Sequence, residues 1–199
     1  RAVLIDLSAA GVTVSTTAEF DVTVPEAEVR LDGYLAPTEN LFDSQIWDAV
    51  TDEALVLQSA AILGCAEAAF AKAREYSVTR KQFQRILAHN QAVRHLLSRS
   101  EVALEGLRAS IRRAAYADEL FIRRSTFMAS AAAGPAVIES AIQIHGGIGY
   151  TWDLPLHRYL RRVRAIAMQV SPHRVANSLA EELVARIAPN QANVLHPVQ

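Results

Sequence analysis

The sequence predicts an α+β chain: mainly an antiparallel helical bundle, preceded by the end of a β domain. Three observations predict it. Up to about residue 35 apolar and polar side chains largely alternate, whereas beyond about residue 50 the apolar spacing becomes 3, 4 and 7. The helical stretches are long and their connections short, as in up-and-down bundles. With 199 residues, 51% hydrophobic and 21% charged, the composition is that of a globular protein with room for one domain plus a fragment of another.

In residues 1–35 the strand pattern is carried by Val3, Ile5, Val12, Val14, Phe20, Val22, Val24, Val29 and Leu31. Gly11, Pro25 and Asp32-Gly33 punctuate it as turns. That is too little sheet to stand alone, so it is expected to be the tail of a larger β domain. The chain opens directly on Ala2-Val3-Leu4-Ile5, which suggests a break in a longer polypeptide. Residues 36–47, with Pro37 and Asn40, read as a connector, and 48–187 as the bundle.

The first helix is Ala-rich and free of Pro from about 50 to 77. The second carries the stripe Val93, Leu97, Leu104, Leu107, Ile111. A third runs from about 118 to 144, with a kink expected at Gly134-Pro135, and ends in His145-Gly146-Gly147-Ile148-Gly149. A fourth follows Pro155 to about Met168, a fifth spans about 171 to 187, and 188–199 reads as a loose tail. The small residues Ala129 to Ala133 allow close helix approach, and an oligomer is expected to bury the large apolar fraction.

Composition also excludes function classes. Lys+Arg 20 against Asp+Glu 21 leaves no basic excess for a nucleic acid. Cys65 is the single cysteine, so no internal disulfide and no cysteine-based zinc site is expected. The six histidines lack an i, i+4 pair, and no metal is expected. The most apolar run, Met128 to Ile138, is interrupted by Ser130, Gly134 and Pro135 and is short of the ~20 residues of a membrane span. With no signal-peptide pattern at the start, a cytoplasmic protein is expected. No G-x-S-x-G, no phosphate loop and no G-x-G-x-x-G between strand and helix occurs.

Three segments carry candidate chemistry. Arg158, Arg161, Arg162 and Arg164 form a basic run, read either as a solvated face or as a contact with an anion or an acidic neighbour. Arg80-Lys81-Gln82-Phe83 follows the first helix, and Gln143 to Tyr150 closes the third. Singly, these two are an ordinary helix end and a glycine cap. Jointly, they offer a guanidinium for a pyrophosphate, amide side chains, and a backbone open to close approach.

The order Tyr76-Ser-Val-Thr-Arg-Lys-Gln-Phe83, Gln91-Ala-Val-Arg-His95, Gln143-Ile-His-Gly-Gly-Ile-Gly-Tyr-Thr151 and Pro155-Leu-His-Arg-Tyr-Leu-Arg161 resembles the C-terminal half of the acyl-CoA dehydrogenase flavoproteins. The resemblance covers almost the whole chain. It implies FAD held across a subunit interface by Arg80, Gln82, Phe83, Gln143, Gly146 and Gly147. It implies α,β-dehydrogenation of an acyl-CoA, a carboxylate taking the α-proton while hydride leaves to the flavin, and an electron-accepting flavoprotein as partner.

The sequence departs from that pattern at the base. Val170 falls where the family usually has Glu, and the following Gly-Thr is Ser171-Pro172. Counting back from Arg80, the family's second location falls on Ala54 and Leu55, neither of which accepts a proton. Glu53 is the substitute one place away, although one residue rotates a helical side chain by about 100°. Three readings follow. The chain is a base-lacking subunit of a heterotetramer, as in some bacterial steroid side-chain enzymes, or a homotetramer using Glu53, or a non-enzymatic interaction module on the same fold.

Overall fold

The structure, a computed structural model, describes residues 1–17 and 20–191. Six short strands and five helices follow in order: β1 (Ala2–Val3), β2 (Val12–Thr16), β3 (Ala27–Leu31), β4 (Leu41–Phe42), α1 (Ser44–Thr79), β5 (Lys81–Gln82), β6 (Arg85–Ile86), α2 (Gln91–Tyr116), α3 (Leu120–His145), α4 (Leu156–Gln169) and α5 (Pro172–Gln191).

β2 and β3 form an antiparallel hairpin in the register Val12↔Leu31, Val14↔Val29, Thr16↔Ala27. The alternation thus gathers the apolar side chains on one face, as expected. That face is not half-buried, however: Val14, Val29 and Leu31 are each more than 40% exposed. A two-stranded ribbon has only one partner strand and no second layer to cover it. The connector also does more than connect. β4 returns to pair with β1 (Ala2↔Phe42, Val3↔Leu41), and α1 begins six residues before the expected start, at Ser44. Asp43 caps it, its Oδ1 accepting from the Gln45 N–H at 3.0 Å.

Side-chain pairs fix the helix directions. Asp52 meets Arg124 and Tyr76 meets His145, so α1 and α3 run parallel. Thr126 near the start of α3 meets Ser110 near the end of α2, and α4 runs from just past the end of α3 back to Val170 beside Ala54, so α2 and α4 run against them. The first four helices therefore alternate up and down. α5, joined to α4 only through Val170 and Ser171, continues in α4's direction instead, with Ser178 at Arg124 and Arg186 3.8 Å from Glu119. It extends to Gln191, past the expected end at 187; residues 192–199 of the expected tail lie outside the described residues.

α1 and α3 form the centre, with Ile62, Ala66, Ala69, Phe127 and Ile138 buried between α2 (Leu104) and α4 (Leu156, Val163). At Gly134 a Cβ would collide with Ile62 Cγ2, so the glycine sets the spacing of the two helices. Pro135 lies inside α3, leaving the Ala131 carbonyl without its usual helical donor. By length and composition α1 and the stretch Leu120–Tyr150 are each apolar enough to cross a membrane. Here that apolarity serves their mutual packing.

Three of the four arginines of the basic run on α4 find partners within the chain, while Arg158 is exposed. Arg161 Nε donates to the Phe20 carbonyl at 2.5 Å and stacks its cation over the Phe20 ring. Arg162 pairs with Asp21 at 3.3 Å, and Arg164 with Glu139 at 2.9 Å. Asp21, its side chain 2% exposed, also accepts from the Thr23 hydroxyl (2.7 Å) and N–H (3.0 Å). Burial pushes its pKa up, but the Thr23 and Arg162 hydrogen bonds outweigh that and hold the carboxyl below its ordinary value. This arm of the β region is thereby pinned to the bundle.

Candidate functional site

The residues singled out in the sequence gather at opposite ends of α1. At its C-terminal end Arg80 closes the helix, its N–H donating to the Tyr76 carbonyl at 2.9 Å. β5 and β6 then pair Lys81↔Ile86 and Gln82↔Arg85, leaving Phe83 and Gln84 as a two-residue loop. Both have positive φ, 51° and 62°. That is the geometry of a type I′ hairpin, which normally takes Asn-Gly, so a bulky Phe there is strained. Phe83 is also 94% exposed. With its amide oxygen turned toward Arg80, Gln82 accepts from Nη2 at 2.7 Å and Nε at 3.3 Å, which couples the two side chains.

The parallel course of α3 delivers its own end to the same place. Tyr76 stacks on His145 with ring centroids 4.5 Å apart, and this joins the two motif segments. His145 is buried, with Nδ1 2.8 Å from the Ala141 carbonyl. A carbonyl only accepts, so Nδ1 carries the proton. Two of the glycines that follow are required by the chain itself. Gly146 caps the helix at φ +65°, and a Cβ on Gly149 would lie 2.7 Å from the Ile142 carbonyl oxygen. Gly147 is different: a Cβ there would meet nothing within 4 Å, and its φ is not positive. Neither backbone geometry nor packing within the chain demands glycine at that position. Arg80, Gln82, Phe83, Gln143, Gly146 and Gly147 are all exposed.

At the N-terminal end of α1 lies a cavity of about 480 Å³, walled by α1, the start of α3, the α4–α5 turn and α5. Ala54, Leu55 and Val170 all line it, so the two separate base positions read from the sequence converge on one space. All three side chains there are apolar. Glu53 is exposed and is not among the lining residues.

Sequence reasoning missed the carboxylates that do line the cavity, Asp48, which is exposed, and Asp52. Asp52 is buried and takes a two-pronged ion pair from Arg124, Nε to Oδ1 at 3.0 Å and Nη2 to Oδ2 at 3.1 Å. Arg124 Nη1 donates in addition to Ser178 Oγ at 2.7 Å. These three residues fasten α1, α3 and α5 around the cavity. Nothing in the sequence signals a pair 72 residues apart. The turn at the cavity mouth is strained as well, since Ser171 has φ 53°.

Ala54 and Arg80 are 26 positions apart on one continuous helix. At 1.5 Å per residue that is about 39 Å, longer than an extended dinucleotide.

Residues 51–170 match the model of the acyl-CoA dehydrogenase C-terminal domain. The chain belongs to the acyl-CoA dehydrogenase family. Among curated members, the acyl-CoA dehydrogenase IpdE2 of Mycobacterium tuberculosis is 30% identical over 135 residues, covering 67% of this chain and 42% of that protein. The short-chain specific acyl-CoA dehydrogenase of Clostridium acetobutylicum is 33% identical over 144 residues, covering 67% and 38%. Among solved structures, the ChsE4-ChsE5 complex of M. tuberculosis superposes with a TM-score of 0.84 at 23% identity, covering 92% of this chain and 51% of that one. The chain thus spans about half or less of the acyl-CoA dehydrogenases it matches, and the fold it shares with them is the helical C-terminal domain with the strands before it.

Proposed function

We propose that the chain is the C-terminal part of an FAD-dependent acyl-CoA dehydrogenase subunit that lacks its own catalytic base and acts with a homologous partner subunit in a cytoplasmic heterotetramer. In this reading 1–35 are the last strands of a β domain, 36–47 a connector, 48–187 the bundle and 188–199 a tail. One observation carries it. The cavity onto which both base positions converge offers only Ala54, Leu55 and Val170 there, while the opposite end of α1 keeps an exposed guanidinium and an open glycine backbone.

The exposed end fits the cofactor in charge and in shape. Arg80, steadied by Gln82, can give paired charge-assisted hydrogen bonds to a pyrophosphate, and Gly147 leaves room for close approach. Gln143 adds an amide and Phe83 an apolar surface. When bound, FAD supplies the hydride acceptor. The roughly 39 Å between this end and the chain's own cavity supports a site shared between subunits, with the flavin clamp from one chain and the substrate cavity from another.

Proton abstraction needs an acceptor within about 3 Å of the α-carbon hydrogen. Asp52 and Asp48 line the cavity, but both oxygens of Asp52 are engaged by Arg124, and Asp48 is exposed six residues, about 9 Å along α1, before Ala54. Glu53, the base of the homotetramer reading, lies outside it. The partner is therefore assigned the carboxylate, an acyl-CoA is the substrate, and a second flavoprotein takes the electrons. The test is anaerobic flavin bleaching by acyl-CoA, with the full-length protein alone and co-purified with the product of a neighbouring gene. Bleaching only with the partner is expected. Bleaching by the protein alone that disappears in Glu53→Gln would establish the homotetramer, and absence of flavin from both preparations would establish the interaction module.

A further inference from the structure

The cavity's chemistry is not that of a plain hydrocarbon pocket. Of its fourteen lining residues nine are polar or charged, and burying those under an alkyl chain would strip them of water without replacement. The polarity is also sided. The α1 wall carries the carboxylates Asp48 and Asp52, whereas Arg124, Arg174 and Ser178 stand on the α3 and α5 walls. Asp52 is neutralised by Arg124, yet Arg124 spends only three of its five N–H groups, on Asp52 and Ser178. Ser178 accepts from Arg124, and its own hydroxyl hydrogen has no acceptor among the described residues. Arg174 lies one helical turn before Ser178, on the same face of α5, and makes no ion pair among the described residues. Spare donors thus converge from one side.

We infer that the cavity selects acyl groups that carry a second oxygen acceptor, a carboxylate or a ketone, remote from the thioester, with that oxygen held by Arg174, Ser178 and the free N–H groups of Arg124. This deepens the acyl-CoA reading above and rests on it. The apolar patch of Ala54, Leu55 and Val170 faces the carbon skeleton, and the α5 wall reads its oxygen. At about 480 Å³ the cavity has the size of an ordinary small-molecule site and holds a substituted chain or a ring.

The experiment is calorimetric titration of the full-length protein, in the assembly it forms, with three eight-carbon thioesters: octanoyl-CoA, suberoyl-CoA and 7-oxooctanoyl-CoA. At least one oxygenated ester is expected to bind about tenfold tighter than octanoyl-CoA, the scale of one hydrogen bond to a charged donor. A preference for suberoyl-CoA identifies a carboxylate ligand, and one for 7-oxooctanoyl-CoA a ketone. In Arg174→Ala and Ser178→Ala, both confirmed folded by circular dichroism at the titration temperature, the ratio should collapse toward one. Equal affinity for all three esters, or a preference that survives both substitutions, overturns the inference while leaving the acyl-CoA reading intact. Binding of none of them overturns both.

Discussion

The two ends of α1 are built by opposite rules. At the C-terminal end the noted side chains are exposed and held by local geometry: a helix end, a two-residue hairpin, a glycine cap. At the N-terminal end Asp52, Arg124 and Ser178 are buried or half-buried and held by long-range pairs, Asp52 with Arg124 and Arg124 with Ser178. An exposed end displays chemistry to another molecule, and its loss leaves the fold intact. A clamped end shapes an internal space, so its loss is first a loss of stability.

The largest expected effect tests the clamped end. Arg124→Ala strands the Asp52 carboxylate in a buried site and should cost about 3–5 kcal/mol in chemical denaturation. Replacing both partners, as Asp52→Leu with Arg124→Met, should recover most of it. A loss below about 1 kcal/mol for Arg124→Ala would make the pair a surface contact. The exposed end should answer in binding instead. Arg80→Ala is expected to weaken FAD by about ten- to a hundredfold, in the range of one charge-assisted hydrogen bond, with an unchanged denaturation midpoint. Unaltered flavin content would leave Arg80 a helix-terminal cation.

Between the ends, Gly134→Ala drives a methyl into Ile62 and should destabilise by about 1–3 kcal/mol. A neutral outcome would mean that the shaft of the bundle adjusts freely. The arm pinned to α4 brings a pH dependence. Asp21 has a native pKa below its ordinary value, so its contribution is complete above the unfolded value near 3.9 and fades as pH falls through the native one. Asp21→Asn should therefore cost about 1 kcal/mol at pH 7 and progressively less under acid, read from denaturation at pH 7, 4 and 3. An equal cost at every pH would remove the charge from the account. The smallest effect is a gain: Ser171→Gly relieves a left-handed serine at the cavity mouth and should stabilise by about 0.5–1 kcal/mol.

The positions of α2 and α4 were legible because each has a one-sided apolar pattern; in α2, Leu104 and Leu107 are buried as their spacing requires. The start of α1 was placed too late because the stretch through Trp47 was read as a connector, although Ile46 and Trp47 stand 4 and 3 positions before Val50; in the structure those side chains are exposed. The basic run was ambiguous for a related reason. A row of arginines reads alike whether it meets water or a peptide segment, and the partners of Arg161 and Arg162, Phe20 and Asp21, lie 141 residues away.

By itself the sequence determined which segments are helical and, to within two residues, where α1, α3 and α4 end. It also placed the arginine–glutamine–phenylalanine and glycine motifs, and it put the apolar Ala54, Leu55 and Val170 where the family resemblance implies a base. The helices follow from short-range covalent and steric preferences, which a few neighbouring residues express, and the motifs and base positions from the resemblance. Only the tertiary structure decided that α1 and α3 run parallel and so bring both exposed motifs to one end. It alone joined Ala54 and Val170 in one cavity, and it alone paired Asp52 with Arg124. Those outcomes depend on burial and ion pairing between residues tens of positions apart, a free energy that exists only once the chain is packed.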